Sequence, residues 1–282
     1  MSGVQRGAAP AGGRAPRSIA SADNPLYRSW LRSVQQPRLA RPGAIALAEG
    51  LHLAQAALDA GAMVSHVLLR EGGRASEADL LAARFGAGVV RVLLAPGLFD
   101  RLAPLDRAGS GIMLVLLIPP LPEPAAAAAS GDLVLLDGIQ DPGNAGTLLR
   151  TAAAAGVKEV WTSPGTVHLW TPKVLRAGMG AHFRLCLREG LLPDEGLLAG
   201  RRWLSAVAHG GQELWQADLG RQAVGWVLGG EGAGPGAAWL QACSGQLRIP
   251  IAGGTESLNV AAAAAICLFE MCRQRAQGGG RS

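Results

Sequence analysis

The chain has 282 residues, 49% of them apolar, and a formal net charge of +5. That is enough chain for two compact domains with real cores, and it excludes wholesale disorder. The apolar run at 112–118 is much too short to span a bilayer, and the Ala-rich stretch 260–269, closed by Glu270, reads as a buried helix.

The excess charge is unevenly placed. Residues 1–118 hold 13 arginines against 8 acids, whereas residues 119–282 hold 13 basic groups and 13 acids. A cationic front on a neutral body suits a module that binds a polyanion, because neutralising phosphates releases counterions. The segment 1–17 carries Arg6, Arg14 and Arg17, no acid and no apolar h-region, so a secretory signal is not expected. Its Gly and Pro content argues against an amphipathic presequence and for a flexible basic tail. Four cysteines (Cys186, Cys243, Cys267, Cys272) form no CxxC pair, and five scattered histidines have no zinc-ligand spacing. No metal and no disulfide are expected, and a reducing, cytoplasmic setting fits.

In chain order, 25–34 reads as a helix, 44–48 as extended, 50–60 as a helix and 64–69 as extended. Residues 76–84 follow as a helix, with 89–93 and 112–118 extended. This alternation predicts a small α/β layer domain over 18–118. PPLPEPAAAAASG at 119–131 reads as a linker. The same rhythm then returns over 132–275, before a short tail at 276–282. Residues 133–136 form a strand, and a helix follows from about Ala145. Strands at 159–162, 203–207, 224–228 and 246–251 and a helix at 171–178 come next, and a long helix from about Asn259 ends the series. Short apolar strands separated by helices indicate a mostly parallel sheet, whose ligands bind at the carboxyl ends of strands.

Three unusual loops fall at that edge. In DGIQDPGNAGTLLRTAAAAG (137–156), Pro142 and Gly143 force a turn and Asn144 sits where a helix N-cap belongs, with Arg150 six residues further on. In VLGGEGAGPGAAW (227–239), glycines allow backbone to approach a ligand closely, and Glu231 stands among them. Gly232, Gly234 and Ala237 also fit a dinucleotide GxGxxA, but the next strand ends in Gly253 and Gly254 instead of an acid. In IPIAGGTESLNVAAAAA (249–265), Ser257 and Asn259 precede a helix, so capping competes with function there too.

Taken together, DPGNAGTLLRTA, GGEGAG and IPIAGGTESLNVAAAAA resemble the three motifs of the SpoU (TrmH) family of SPOUT methyltransferases. SADNP (21–25) and AEGLHLAQAAL (48–58) are similar to the family's appended substrate-binding domain. The resemblance implies a trefoil-knotted C-terminal methyltransferase domain, a smaller L30e-like N-terminal domain and a homodimer. It also implies transfer of a methyl group from S-adenosylmethionine to a ribose 2′-hydroxyl of RNA, with large-subunit (23S) ribosomal RNA ahead of transfer RNA. A non-catalytic RNA-binding protein is the alternative from another class.

On that pattern Gly229, Ile249 and Leu258 line the donor site. Arg150 matches the catalytic arginine, with Asn144, Glu231, Ser257 and Asn259 as its motif companions. Arg28, Arg32, Arg38 and Arg41 are expected to grip RNA, with Tyr27 and Trp30 either stacking on bases or packing inward. Lys173, Arg176 and Arg184 would extend that surface. Gly178 stands where relatives often carry Ser.

Overall fold

The computed structural model describes residues 16–39, 41–72, 77–103, 109–120, 131–220, 222–230, 232–253 and 255–278. Apolar runs become strands and the segments between them helices, as the alternation predicts. The first sheet contains β1 (Arg17–Ile19), β2 (Ile45–Glu49), β3 (Val64–Arg70), β4 (Val90–Leu94) and β5 (Ile112–Leu117), in the order β1-β4-β3-β5-β2. β1, β4 and β3 run parallel, while β5 is antiparallel to β3 and β2. Helices α1 (Pro25–Gln35), α2 (Leu51–Asp59), α3 (Glu77–Ala83) and α4 (Pro96–Leu102) cover it.

Side chains alternate across a strand, and each face of this sheet feeds a different core. Leu68, Met113 and Val115 pack with Tyr27 and Trp30 of α1 and Phe99 of α4. Val67, Leu69, Leu114 and Leu116 join a larger cluster on the other face. The side chain of Asn24 caps α1 by accepting from the N–H groups of Leu26 and Tyr27, with Pro25 at the start. Tyr27 and Trp30 are each only 1% exposed. The two aromatics are core residues, and of the open pair of readings for them the inward one holds.

The second sheet has seven strands: β6 (Leu133–Asp137), β7 (Glu159–Thr162), β8 (Cys186–Arg188), β9 (Arg202–Val207), β10 (Gln212–Glu213), β11 (Val224–Gly229) and β12 (Gly245–Arg248). Their order is β10-β12-β9-β11-β6-β7-β8, with every pairing parallel. Five helices accompany them: α5 (Pro142–Ala154), α6 (Pro172–Gly178), α7 (Glu195–Leu198), α8 (Ala237–Ala242) and α9 (Val260–Gly278). On β6, Leu133 and Leu135 face a tryptophan-rich layer of Trp161, Trp203 and Trp239, while Val134 and Leu136 face α5 and α9. Each such fully buried leucine stabilises the fold by about 1.5–3 kcal/mol relative to exposure.

The two sheets share one core. Ala46 and Ala48 of β2 and Leu53 of α2 belong to the same apolar cluster as Leu148 of α5 and Val174 and Leu175 of α6. A Cβ added at Gly180 would lie 2.6 Å from Ala56 Cβ, so α2 and the end of α6 pack without a gap. Beneath them His182 is fully buried; its Nε2 meets the Leu169 carbonyl at 2.8 Å, and desolvation lowers its pKa to about 4. The imidazole is therefore neutral at pH 7. Gly178 has a physical reason here, because a Cβ there would sit 2.8 Å from His182 Cε1.

Two sequence expectations need correcting. The strand expected over 246–251 leaves the sheet after Arg248, since Pro250 lacks an N–H to extend the ladder. The helix expected from about Ala145 begins at Pro142. β1, β8, β10, α4, α7 and α8 had no counterpart among the expected elements. Among the described residues no helix is long and apolar enough to cross a membrane, and no cluster of His, Cys, Asp or Glu could hold a metal ion. Of the expected terminal and linker segments, residues 1–15, 121–130 and 279–282 lie outside the described residues.

Candidate active site and cofactor cavity

The motif loops leave the parallel sheet at its carboxyl edge. At the end of β6, the Asp137 carbonyl accepts from Gly230 N–H at 3.0 Å, and its carboxylate accepts from Gly236 N–H at 2.6 Å. Asp137 thus pins both ends of the glycine loop that follows β11. That loop folds back on itself: Gly234 N–H donates to the Gly230 carbonyl at 3.0 Å. Gly229 is required by this packing, because a Cβ would fall 1.9 Å from the Gly234 carbonyl carbon. Glu231 lies outside the described residues.

The helix after β6 is capped differently from expectation. Asp141, not Asn144, is the N-cap: its carboxylate accepts from Asn144 N–H at 2.7 Å, with Pro142 at the first helical position. This leaves the Asn144 side chain available for a contact that capping would have consumed. Asn144 Oδ1 accepts from Asn259 Nδ2 at 3.0 Å, across 115 residues of sequence. Asn259 in turn caps α9, its Oδ1 accepting from Ala261 N–H at 2.9 Å and Ala262 N–H at 3.3 Å. One amide therefore caps a helix with its oxygen and ties the first motif to the third with its nitrogen. α5 also sits close to α6, since a Cβ on Gly146 would lie 2.4 Å from Ala177 Cβ.

Between these loops is a cavity of about 460 Å³, within the usual range for small-molecule sites. Gly229, Gly230, Ile249, Ser257, Leu258 and Asn259 line it, together with residues 206–209 after β9. All three residues expected to line a donor site are present. Ser257 and Asn259 join them, and Asn144 is bonded to the rim. Arg150 does not line this cavity. It emerges from the exposed side of α5 with Gly143 and Thr147, and its guanidinium has no partner among the described residues.

Sequence reasoning missed His209 and Glu256, which also border the cavity. His209 was findable, because it follows β9 and precedes Gly210 and Gly211 at the same sheet edge. The thiols play no part: burial pushes Cys243 up to about 11 and Cys267 up to about 12.

The arginines expected to meet RNA divide into groups. Arg28 and Arg32 share the exposed side of α1, one helical turn apart. Lys173 and Arg176 are exposed on α6. Arg38 and Arg41 lie after α1 and, with Arg184, border a second and larger cleft.

Comparison with known proteins identifies the family. Residues 132–269 match the family described as the SpoU rRNA Methylase family. An uncharacterised tRNA/rRNA methyltransferase of Synechocystis is 32% identical over 92% of this chain and 94% of its own. A 23S rRNA (guanosine-2′-O)-methyltransferase of Bacillus subtilis, RlmP, is 29% identical over 90% of this chain and 99% of its own. The SpoU methyltransferase AviRb of Streptomyces viridochromogenes, solved with AdoMet, superposes with a TM-score of 0.78 at 24% identity. That superposition covers 90% of this chain and 98% of AviRb. The family match over residues 132–269 and the 32% identity to a methyltransferase along nearly its whole length make this chain a member of the SpoU rRNA methylase family.

Proposed function

We propose that this protein transfers a methyl group from S-adenosylmethionine to a ribose 2′-hydroxyl of 23S ribosomal RNA. The observation that carries this reading is the Asn144–Asn259 hydrogen bond, which joins two motif loops at the rim of a cavity floored by the third. The cavity suits the donor. Part of its wall is backbone at Gly229 and Gly230, held in place by the close packing of Gly229 against Gly234. Ile249 and Leu258 offer apolar surface to a ring, and Ser257 offers a hydroxyl at the same wall. The choice of 23S over transfer RNA follows the Bacillus relative, which this chain covers almost end to end.

When bound, S-adenosylmethionine supplies a methyl already activated on a sulfonium, so the chain needs neither a metal nor a covalent intermediate. The residues of the chain must then position the acceptor and manage one proton. Arginine stays protonated in proteins, so Arg150 is no base. Its guanidinium holds the phosphate next to the acceptor ribose and stabilises the alkoxide developing at the 2′-oxygen. That phosphate then assists removal of the hydroxyl proton. Asn144, Ser257 and Asn259 hold the loops in register and restrict where the donor can sit.

The reading brings a homodimer with it. Phe269 on α9 is 50% exposed, and α9 packs beside α5, which carries Arg150. A second copy seated on α9 would cover the phenyl ring. It also brings the trefoil knot, seated in the loops after β11 and β12, and a cytoplasmic setting, where ribosomal RNA is made and folded.

The test is methylation of unmodified 23S ribosomal RNA and transfer RNA with isotope-labelled S-adenosylmethionine, followed by nuclease digestion and mass spectrometry. One labelled 2′-O-methyl nucleoside from ribosomal RNA is expected. Label on a base, label in transfer RNA alone, or no label in the presence of bound donor would each contradict the proposal.

A further inference from the structure

The larger cleft lies between the two sheets and has a volume of about 990 Å³. It shares no lining residue with the donor cavity. Arg38, Arg41 and Arg184 stand at its rim; all three are exposed, and their guanidinium groups have no partner among the described residues. The interior is different in character. Trp170 is 7% exposed and Leu187 8%, and the half-buried Phe183 and Val167 add further apolar surface.

One polar device sits among these groups. The Glu189 carboxylate accepts from Leu169 N–H at 2.9 Å through Oε1 and contacts His168 Nδ1 at 3.1 Å through Oε2. Burial raises the Glu189 pKa, opposed by the hydrogen bond to His168. A neutral imidazole that donates Nδ1–H to this carboxylate presents the lone pair of Nε2. The histidine side chain is 43% exposed, so that lone pair is within reach of a ligand in the cleft.

The cleft is also coupled to the catalytic loop. Ser163 Oγ accepts from Gly138 N–H at 3.1 Å, and Val167 N–H donates to the Ile139 carbonyl at 2.8 Å. Gln140, just before the cap of α5, is part of the wall. Whatever fills the cleft therefore rests against the segment that leads into Asn144 and Arg150.

We propose that this cleft holds an unpaired nucleotide flanking the methylated one. Its phosphates would rest on Arg38, Arg41 and Arg184, and its base would lie on the apolar interior with an edge donor on His168 Nε2. Cationic rim, apolar slot and an oriented acceptor are together the requirements for a splayed-out RNA base. An acidic peptide would use the rim and leave the slot and the acceptor idle. The absence of a shared wall separates the occupant from the donor, and the contact with Gln140 and the segment leading to Arg150 makes it a neighbour of the acceptor nucleotide. The inference rests on the methyltransferase reading for its ligand class, but not on any residue placed in that machinery.

The test uses the full chain and a labelled oligouridylate containing 4-thiouridine, with ultraviolet cross-linking and peptide mapping. Cross-links are expected within residues 163–170 or 183–190. Combined Arg38→Glu, Arg41→Glu and Arg184→Glu replacement should weaken single-strand binding more than tenfold. Losing three phosphate contacts should also flatten the log–log salt slope by about 2. His168→Ala should weaken binding severalfold with the salt slope unchanged, which a purely electrostatic rim would not produce. S-adenosylmethionine titrations should be the same for all variants. Cross-links mapped only outside the cleft, or unchanged binding by the triple variant, would overturn the inference and leave the methyltransferase reading standing. Duplex binding without single-strand binding would overturn it equally. Failure of the wild-type chain to bind either S-adenosylmethionine or RNA would instead remove the reading beneath it.

Discussion

The two clefts of this molecule are made of different materials. The cavity proposed to hold the donor is bordered by glycine turns pinned by Asp137 and by a loop tied down by Asn259. The cleft between the sheets is built from long side chains, with arginines at the rim and an oriented histidine within. Backbone walls are shape-exact and tolerate no added atoms, whereas side-chain walls change charge and reach by single substitutions. A small, invariant donor suits the first construction, and a variable RNA sequence suits the second.

The largest effect expected from separating these roles is at Arg150, which lies outside the donor cavity. Arg150→Ala should lower the methylation rate by about 10²–10³-fold, the usual consequence of removing one donor to a developing oxyanion. S-adenosylmethionine affinity, measured by calorimetry, should stay within about twofold. An equal fall in both would move Arg150 from acceptor chemistry to loop structure.

The next effect belongs to the floor beneath the second cleft. His182 has a pKa of about 4 when folded, against 6.5 for an unperturbed histidine, because burial disfavours its charged form. The unfolded chain thus binds more protons between those values. The contribution is complete above pH 6.5 and is lost as pH falls toward 4, amounting to about 3 kcal/mol. Urea midpoints measured across that window should fall with pH in the wild type. They should fall less in His182→Gln, which keeps a donor for the Leu169 carbonyl but does not titrate.

A smaller effect distinguishes the two asparagines. Asn259→Ala removes a helix cap and should cost about 1 kcal/mol in urea unfolding. Asn144→Ala removes the bond to Asn259 but no helix cap, and should cost less. In S-adenosylmethionine affinity the two should be non-additive, because each alone already breaks their shared hydrogen bond. Additive losses would mean the bond is incidental.

How much of this was legible in the sequence depended on range. Apolar runs such as Leu133–Asp137 and Val224–Gly229 announced the parallel sheet, and the three glycine-bearing loops announced its functional edge. The cap of α5 was misassigned although its signal was present: Asp141 before Pro142 is an N-cap followed by the residue that most readily starts a helix. β8 and β10, with three and two residues, are too short to show a period. The direction of Trp30 was open because a basic, aromatic-bearing helix has the same composition whether its ring stacks on RNA or fills a core. The cleft between the sheets was invisible, since Arg38 and Arg41 meet Arg184 and Glu189 only through the docking of two units far apart in sequence.

The central claim is that the backbone around Gly229 forms a donor site, and calorimetric titration of S-adenosylmethionine into the wild type and Gly229→Ala tests it most directly. The account predicts saturable binding by the wild type and none by the variant, with far-ultraviolet circular dichroism confirming that the variant is folded. Equal binding by the two proteins, or none by a folded wild type, would contradict it.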